Sequence, residues 1–274
     1  VSAVTLALLA AFVNAGTAIL SKGLASRYPA RPIIGVLLLM NCLIMLPFAP
    51  FAEWRWSPEI VALHVVSAFL LVVSSVPVWD MFDAGAASAT STAQALSPIA
   101  AAVGSALLIP GSVNAVQVIA AVVVVIGVIY ALRDAFGQLG RRGSVVRIVL
   151  TASGVGLLTV TTRLLADEGV GVVETYVVRT GLGAAALLIL IPPRSVPREA
   201  APRLFIRSVA VTAYFAILIL AIQRGSPLVV QTIVAITPLL TLGYESLRDR
   251  TVPAARALAG AVLVAIGVAV VMLA

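Results

Sequence analysis

The sequence predicts an all-α membrane protein: ten transmembrane helices arranged as two inverted five-helix repeats. Three observations carry this. The 274-residue chain is 61% hydrophobic and 11% charged, with mean hydropathy +1.14, whereas a soluble domain is about half apolar and about a quarter charged. Apolar runs long enough to cross a core of roughly 30 Å, about 20 residues each, fill the chain between breakers. Features of the first five runs return some 140 positions later.

In chain order the spans fall at 3–22, 32–51, 59–79, 84–109, 114–133, 145–165, 171–191, 205–222, 226–247 and 254–273. Pro29 and Pro32 separate the first two, Pro58 opens the third, and Pro110-Gly111 closes the fourth. Pro192-Pro193 closes the seventh, while Pro227 and Pro253 open the ninth and tenth. Proline and glycine punctuate helices because one lacks a donor and the other lacks a preferred backbone well. The first stretch has no basic residues before it, so it reads as a span rather than a secretory leader. No run alternates apolar with polar residues, which excludes a membrane β-barrel.

The repeat is clearest between 93–133 and 233–273, where 10 of 41 positions are identical without a gap. Ser97-Pro98 returns as Thr237-Pro238, and Ile126-Gly127-Val128 as Ile266-Gly267-Val268. Matched Pro and Gly weigh more than matched Ala and Val, since each has a backbone consequence. Upstream, Ser21-Lys22 lies opposite Thr162-Arg163 at offset 141, and Gly85 opposite Gly225 at offset 140. Residues 3–133 and 145–273 are therefore read as two five-helix copies joined by a linker, 134–144. Five is odd, so the second copy enters the membrane from the opposite side, an arrangement used by many transporters.

Net charge is +7 and the pI near 10.5. In a soluble domain that balance points to nucleic acid; here the arginines sit mostly between spans, where they set orientation, and no nucleic-acid partner is expected. Loops after the odd-numbered spans carry most of the Lys and Arg, from Lys22, Arg27 and Arg31 to Arg203, Arg207 and Arg256. The positive-inside rule makes that side cytoplasmic and places both termini outside. One Cys (Cys42) excludes an internal disulfide, and with a single His (His64) there is no thiolate or imidazole metal site. No Gly-rich phosphate loop or cluster of His, Cys and carboxylates appears, so neither a cofactor nor an enzymatic activity is expected.

Polar side chains inside spans are costly and are functional candidates by default. Asn14, Asn41, His64, Gln94 and Gln231 are such residues; each reads either as an interhelical hydrogen bond or as a substrate contact. Trp79, Asp80 and Asp83 close the third span, and the acids read as solvated edge groups or as a proton or cation site at a cavity mouth. Lys22 and Arg163 end the first span of each copy. They either snorkel to the interface or act as pseudo-symmetric charges at opposite ends of a pathway. Glu245, Arg248 and Asp249 read as a helix-end salt bridge. Ala84 to Ala93 are ten successive small residues in the helix that contains Pro98, suited to close backbone approach or to lining a cavity. Ala257, Ala261, Ala265 and Ala269 form a packing stripe on the tenth span, a candidate homodimer contact.

Taken together, the two five-helix halves, the basic residue ending each first helix, the small residues and Pro in the fourth and the Gly pattern in the fifth resemble the EamA branch of the drug/metabolite transporter superfamily. In the second copy Arg179 stands where such proteins often carry an Arg, and Gly243-Tyr244-Glu245 looks like the family's Gly-x-Glu helix end; the first copy has Leu38 and Ser105 there. The resemblance covers nearly the whole chain. It implies that helices one to four of each copy surround a central cavity, with the fifth helices outside. Substrate-binding candidates are then Arg179, Asn14, Asn41, Trp79, Gln94, Tyr176, Tyr214 and Gln231, and coupling candidates are Asp80, Asp83, Lys22 and Arg163. Arg179 lies about 12 Å into its helix at 1.5 Å per residue, near mid-membrane, where an Arg costs at least ~2.5 kcal/mol. It must face protein or water. The implied protein is a secondary transporter in the plasma (inner) membrane that exports a small polar or amphipathic metabolite. A lipid-carrier flippase of the same fold, or a membrane scaffold without transport, are the alternatives.

Overall fold

The computed structural model describes residues 1–84, 87–133, 142–193, 196–250, 252 and 254–273. Most of the expected linker, Asp134 to Arg141, and Gly85-Ala86 of the small-residue run lie outside them. The described residues form twelve α-helices: α1 (Ala3–Ala25), α2 (Ala30–Met45), α3 (Pro58–Ala84), α4 (Ala87–Gln94), α5 (Ser97–Leu108), α6 (Ala115–Ala131), α7 (Arg142–Asp167), α8 (Val172–Leu190), α9 (Ala201–Arg224), α10 (Pro227–Val234), α11 (Thr237–Asp249) and α12 (Ala255–Leu273). A 3-10 turn, Leu46–Phe51, prolongs α2. Among the described residues nine segments are long and apolar enough to cross a membrane; α6, with 17 residues, is a tenth and shorter apolar helix.

Local signals explain the ends. Ser2 and Asn114 accept from the backbone N–H groups of Thr5 and Gln117, capping α1 and α6. Pro202 sits in the first turn of α9, where a missing N–H costs nothing. The α9 helix therefore starts at Ala201, four residues before the predicted span, so Arg203 also belongs to the helix, as Arg207 does.

Two membrane segments are each made of two helices in line. The α4–α5 segment is interrupted at Ala95-Leu96, and α10–α11 at Ala235-Ile236, 140 positions later. Pro98 and Pro238 follow directly, at the second position of α5 and α11. Proline cannot donate to the carbonyl four residues back, which frees those of Gln94 and Val234. The Thr237 hydroxyl takes up the second of these, donating to the Val234 carbonyl at 2.7 Å.

The main packing pairs are unchanged when the halves are exchanged. Helix α1 packs on α9 and α7 on α3; α10 packs on α5 and α4 on α11; α2 meets α8 and α6 meets α12. The α6–α12 contact is very close, since a Cβ on Gly260 would lie 2.5 Å from the Ala131 Cβ and 2.6 Å from the Gly127 carbonyl oxygen. Small residues let helix backbones approach this closely. Gly260, Val264, Gly267 and Val268 make the packed face of α12, whereas Ala265 and Ala269 of the alanine stripe are exposed. The outside of the bundle is apolar, with Phe12, Phe69, Ile119, Leu190 and Val262 all more than half exposed. The buried positions include 27 polar or charged residues. Polar inside and apolar outside is the pattern for a solvent of lipid.

Candidate functional site

A cavity of about 120 Å³ lies inside the bundle, lined from α1, α2, α3, α4, α7, α8, α9, α10 and α11. Neither α6 nor α12 contributes a lining residue. Lining positions recur at the offsets seen in the sequence. Asn14, Thr17, Ala18 and Ser21 of α1 correspond to Val155, Leu158, Thr159 and Thr162 of α7 at 141. Leu71, Ser74, Ser75, Val78, Trp79 and Phe82 of α3 correspond to Val211, Tyr214, Phe215, Leu218, Ile219 and Ile222 of α9 at 140.

The cavity has two cationic side chains, Arg179 and Arg207, and no carboxylate among its lining residues. Arg179, on α8, is 2% exposed. Its Nε donates to the Ser67 hydroxyl of α3 at 2.5 Å and its Nη2 to the Thr162 hydroxyl of α7 at 2.6 Å. Both bonds go to neutral oxygens, so the guanidinium is held but its charge is not cancelled. Arg207, on α9, donates from Nε to the Ser21 hydroxyl at 3.1 Å and lies over the Trp79 ring, 5.2 Å from its centroid. That is a cation–π arrangement, again without a counter-ion. Sequence reading placed Arg207 inside the span 205–222 but counted it with the loop arginines, and so did not name it as a cavity residue.

The neutral polar residues fall into two groups. Gln231 of α10 is fixed from both sides: the Ser97 hydroxyl donates to its Oε1 at 2.9 Å, and its Nε2 donates to the Thr159 hydroxyl. Gln231→Leu leaves the buried Ser97 hydroxyl without an acceptor. That should destabilise the protein by about 1–3 kcal/mol, read as a lower thermal midpoint of the purified protein. Asn14 accepts at Oδ1 from the Thr17 hydroxyl at 3.1 Å. Asn41 is 1% exposed, lines the cavity, and its Oδ1 has no partner. Gln94 is half-buried at the cavity with no hydrogen bond among the described residues. Tyr214 and Phe215 are in contact, with ring centroids 4.8 Å apart, and extend the aromatic wall.

Tyr176 is the one substrate candidate placed off the cavity lining. It is 1% exposed, shares a 3.1 Å hydrogen bond with Thr212, and packs with Met45, Val177 and Ile219. The four coupling candidates are also absent from the lining. Lys22 donates to the Phe82 carbonyl at 2.8 Å, and Arg163 to the Ile222 and Gln223 carbonyls at 3.4 Å. Each basic residue thus meets the end of the third helix of its own half, where the helix dipole favours a cation. Arg163 also pairs with Asp167 at 2.9 Å. Asp80 is held by Arg31 through two bonds of 2.9 Å, with Arg147 at 3.8 Å, a clamp between α3, α2 and α7. Asp83 is exposed. Arg248 pairs with its neighbour Asp249 at 2.8 Å, whereas Glu245 forms no salt bridge among the described residues and acts on Arg248 only at longer range.

One cluster appears only in the structure. His64 of α3 and Glu174 of α8 are 1% and 0% exposed, and His64 Nε2 lies 3.7 Å from Glu174 Oε1. The backbone N–H of Arg55 donates to both oxygens of Glu174, at 3.3 and 3.2 Å. Glu174 lies five residues before Arg179, nearly across α8 from it, so the two do not pair. Its partner comes instead from α3.

Comparison with known proteins gives a consistent result. The model of the EamA-like transporter family matches residues 1–133 and 143–273, each half separately. A solved crystal structure is similar over 98% of this chain and 97% of its own, with a TM-score of 0.75 at 15% identity, a likeness of fold. No curated protein gives a significant match.

Proposed function

The chain belongs to the EamA-like transporter family, and from that premise we propose that it is a secondary transporter that carries a small amphipathic anion by alternating access across the plasma (inner) membrane. Its class is a multi-pass integral membrane transporter of the drug/metabolite type. The observation that carries the finer reading is the cavity itself: two guanidinium groups, an aromatic wall and no carboxylate among its lining residues. A buried cation with neutral partners leaves a field that an anion satisfies. In this reading Arg179 and Arg207 hold the anionic group of the substrate. Asn14, Asn41, Gln94 and Gln231 offer hydrogen bonds, and Trp79 and Tyr214 cover its apolar body. Tyr176 positions α8 against α9.

The same reading has ten spans and opposed halves. Its support is the constant offset of the lining and the exchange-invariant packing. The tenth span, α6, has 17 residues, at the short limit of about 17 that a bilayer core tolerates. The exposed side of α12 at Ala265 and Ala269 is the proposed contact of a homodimer.

Reconstituted in liposomes, the protein should carry benzenesulfonate, a permanently charged aromatic anion, and should not carry benzylamine, a cation of similar size. Arg207→Gln should lower anion flux by about tenfold, the loss of a partly desolvated charge contact worth ~1.4 kcal/mol. Transport of the amine in preference to the anion would refute the proposed selectivity.

A further inference from the structure

The His64–Glu174 pair lies between the aqueous edge and the cavity. On one side stand Arg55, with its side chain 52% exposed, and Trp56, 59% exposed, whose ring centroid is 6.2 Å from that of His64. On the other side Ser67, three residues along α3 from His64 and so on the same face, accepts from Arg179. Among the described residues, charged groups approach the pair from two elements. Arg55 of the segment before α3 acts on Glu174, and Arg179 of α8 acts on His64. The nearest ionisable groups of α7, Arg163 and Asp167, pair with each other. The Cys42 thiol of α2 is directed at the Val177 carbonyl, 3.6 Å away.

Neither nitrogen of His64 has a hydrogen-bond partner, although the side chain is buried beside a buried carboxylate. A carboxylate removed from water needs a proton or a cation. The Arg55 N–H contributes a dipole, not a charge. One proton shared between Glu174 and His64, on the carboxyl or on the imidazole, makes the pair neutral. Its loss to water past Arg55 leaves the pair with a single negative charge, and the nearest cation on the cavity side is Arg179.

We propose that His64 and Glu174 form a proton-binding site coupled to the cavity through Arg179, so that the proton and an anionic substrate bind together. The proposal rests on the reading of Arg179 as an anion site. With the proton on the pair, the charge of Arg179 is available to an anion. Without it, the pair and Arg179 compensate each other, and an anion in the cavity meets a weaker field. Linkage is reciprocal: an anion in the cavity tightens proton binding by the same factor. A coupling of about tenfold is within the usual range for two such sites.

His64 is the only histidine in the chain, so isotope-labelled histidine reports on it alone. In the purified full-length protein its ring-nitrogen NMR shifts, together with the infrared band of protonated carboxyl groups, should titrate between about pH 5 and pH 9. Arg179→Gln should raise the proton affinity of the pair about tenfold, and Glu174→Gln should lower that of His64 by a similar factor. Benzenesulfonate, whose charge is constant over this range, should bind about tenfold tighter near pH 6 than near pH 8, and Glu174→Gln should abolish that difference. Flat shifts and an unchanged carboxyl band across the range overturn the proton site. Benzenesulfonate binding that is lost in Arg179→Gln yet indifferent to pH overturns the coupling and leaves the anion site standing. Absence of benzenesulfonate binding at any pH overturns the anion reading, and the coupling with it, even where the pair titrates.

Discussion

Arg179→Ala should insert, fold and bind no anionic substrate, with transport reduced by about a hundredfold or more. The two halves of that statement have different physical origins. Stability should change little, because the lost bonds to Ser67 and Thr162 are offset by relief from a buried charge that costs at least ~2.5 kcal/mol to insert. The first half of the chain makes the same point, since Leu38 occupies the corresponding position at offset 141 and also lines the cavity. Transport should collapse because truncating one partner of a desolvated charge contact costs about 2–5 kcal/mol. Arg179→Lys keeps the charge but loses the planar fork that reaches Ser67 and Thr162 together; flux should fall by about tenfold. Counterflow in liposomes measures both, with a thermal-unfolding trace to show that each variant is folded. Normal transport by Arg179→Ala, or failure of that variant to fold, would refute the binding role.

Gly260→Leu should have the largest effect on folding. The added Cβ would stand 2.7 Å from the Ala131 backbone nitrogen and 2.6 Å from the Gly127 carbonyl oxygen. Neither can swing aside as a side chain could, so α6 and α12 must separate along their contact. Overpacking in a close-packed interior costs about 1–3 kcal/mol even when neighbours can yield; here the loss should exceed that range. The expected readout is little monodisperse protein after detergent extraction. Val270→Leu, at an exposed position of the same helix away from Ala265 and Ala269, should stay within about 0.5 kcal/mol of the parent. Equal behaviour of the two variants would mean that α6 and α12 do not meet as described.

Depth in the membrane and helix breaks were legible in the sequence; azimuth was not. Pro98 and Pro238 announce interruptions that occur at Ala95-Leu96 and Ala235-Ile236, since a missing donor acts locally whatever the neighbours are. Arg179 was legible for a similar reason, as a charge at mid-depth must face inward. Which way a ring or a carboxylate points around its helix depends on the partner helix. Tyr176 precedes Arg179 by three residues, yet its hydroxyl goes to Thr212 of α9. Glu174 has no basic residue within four positions along α8, and it meets His64 from α3. Lys22 and Arg163, aligned at offset 141 in the sequence, both meet backbone carbonyls at the end of a helix. A residue can recur because the architecture recurs.

The cavity repeats in position but not in charge. Counted back by the repeat offsets, the counterparts of Arg179 and Arg207 are Leu38 and Ser67, so both cationic groups come from the second half. A solute with one charged end therefore has a preferred pose, head toward α8 and α9 and tail toward the aromatic and aliphatic wall. It cannot turn over during passage without giving up both guanidinium groups. Entry and exit are then chemically unlike events even in a scaffold whose halves are related: through one mouth the charged head is desolvated first, and through the other it is the last part to regain water.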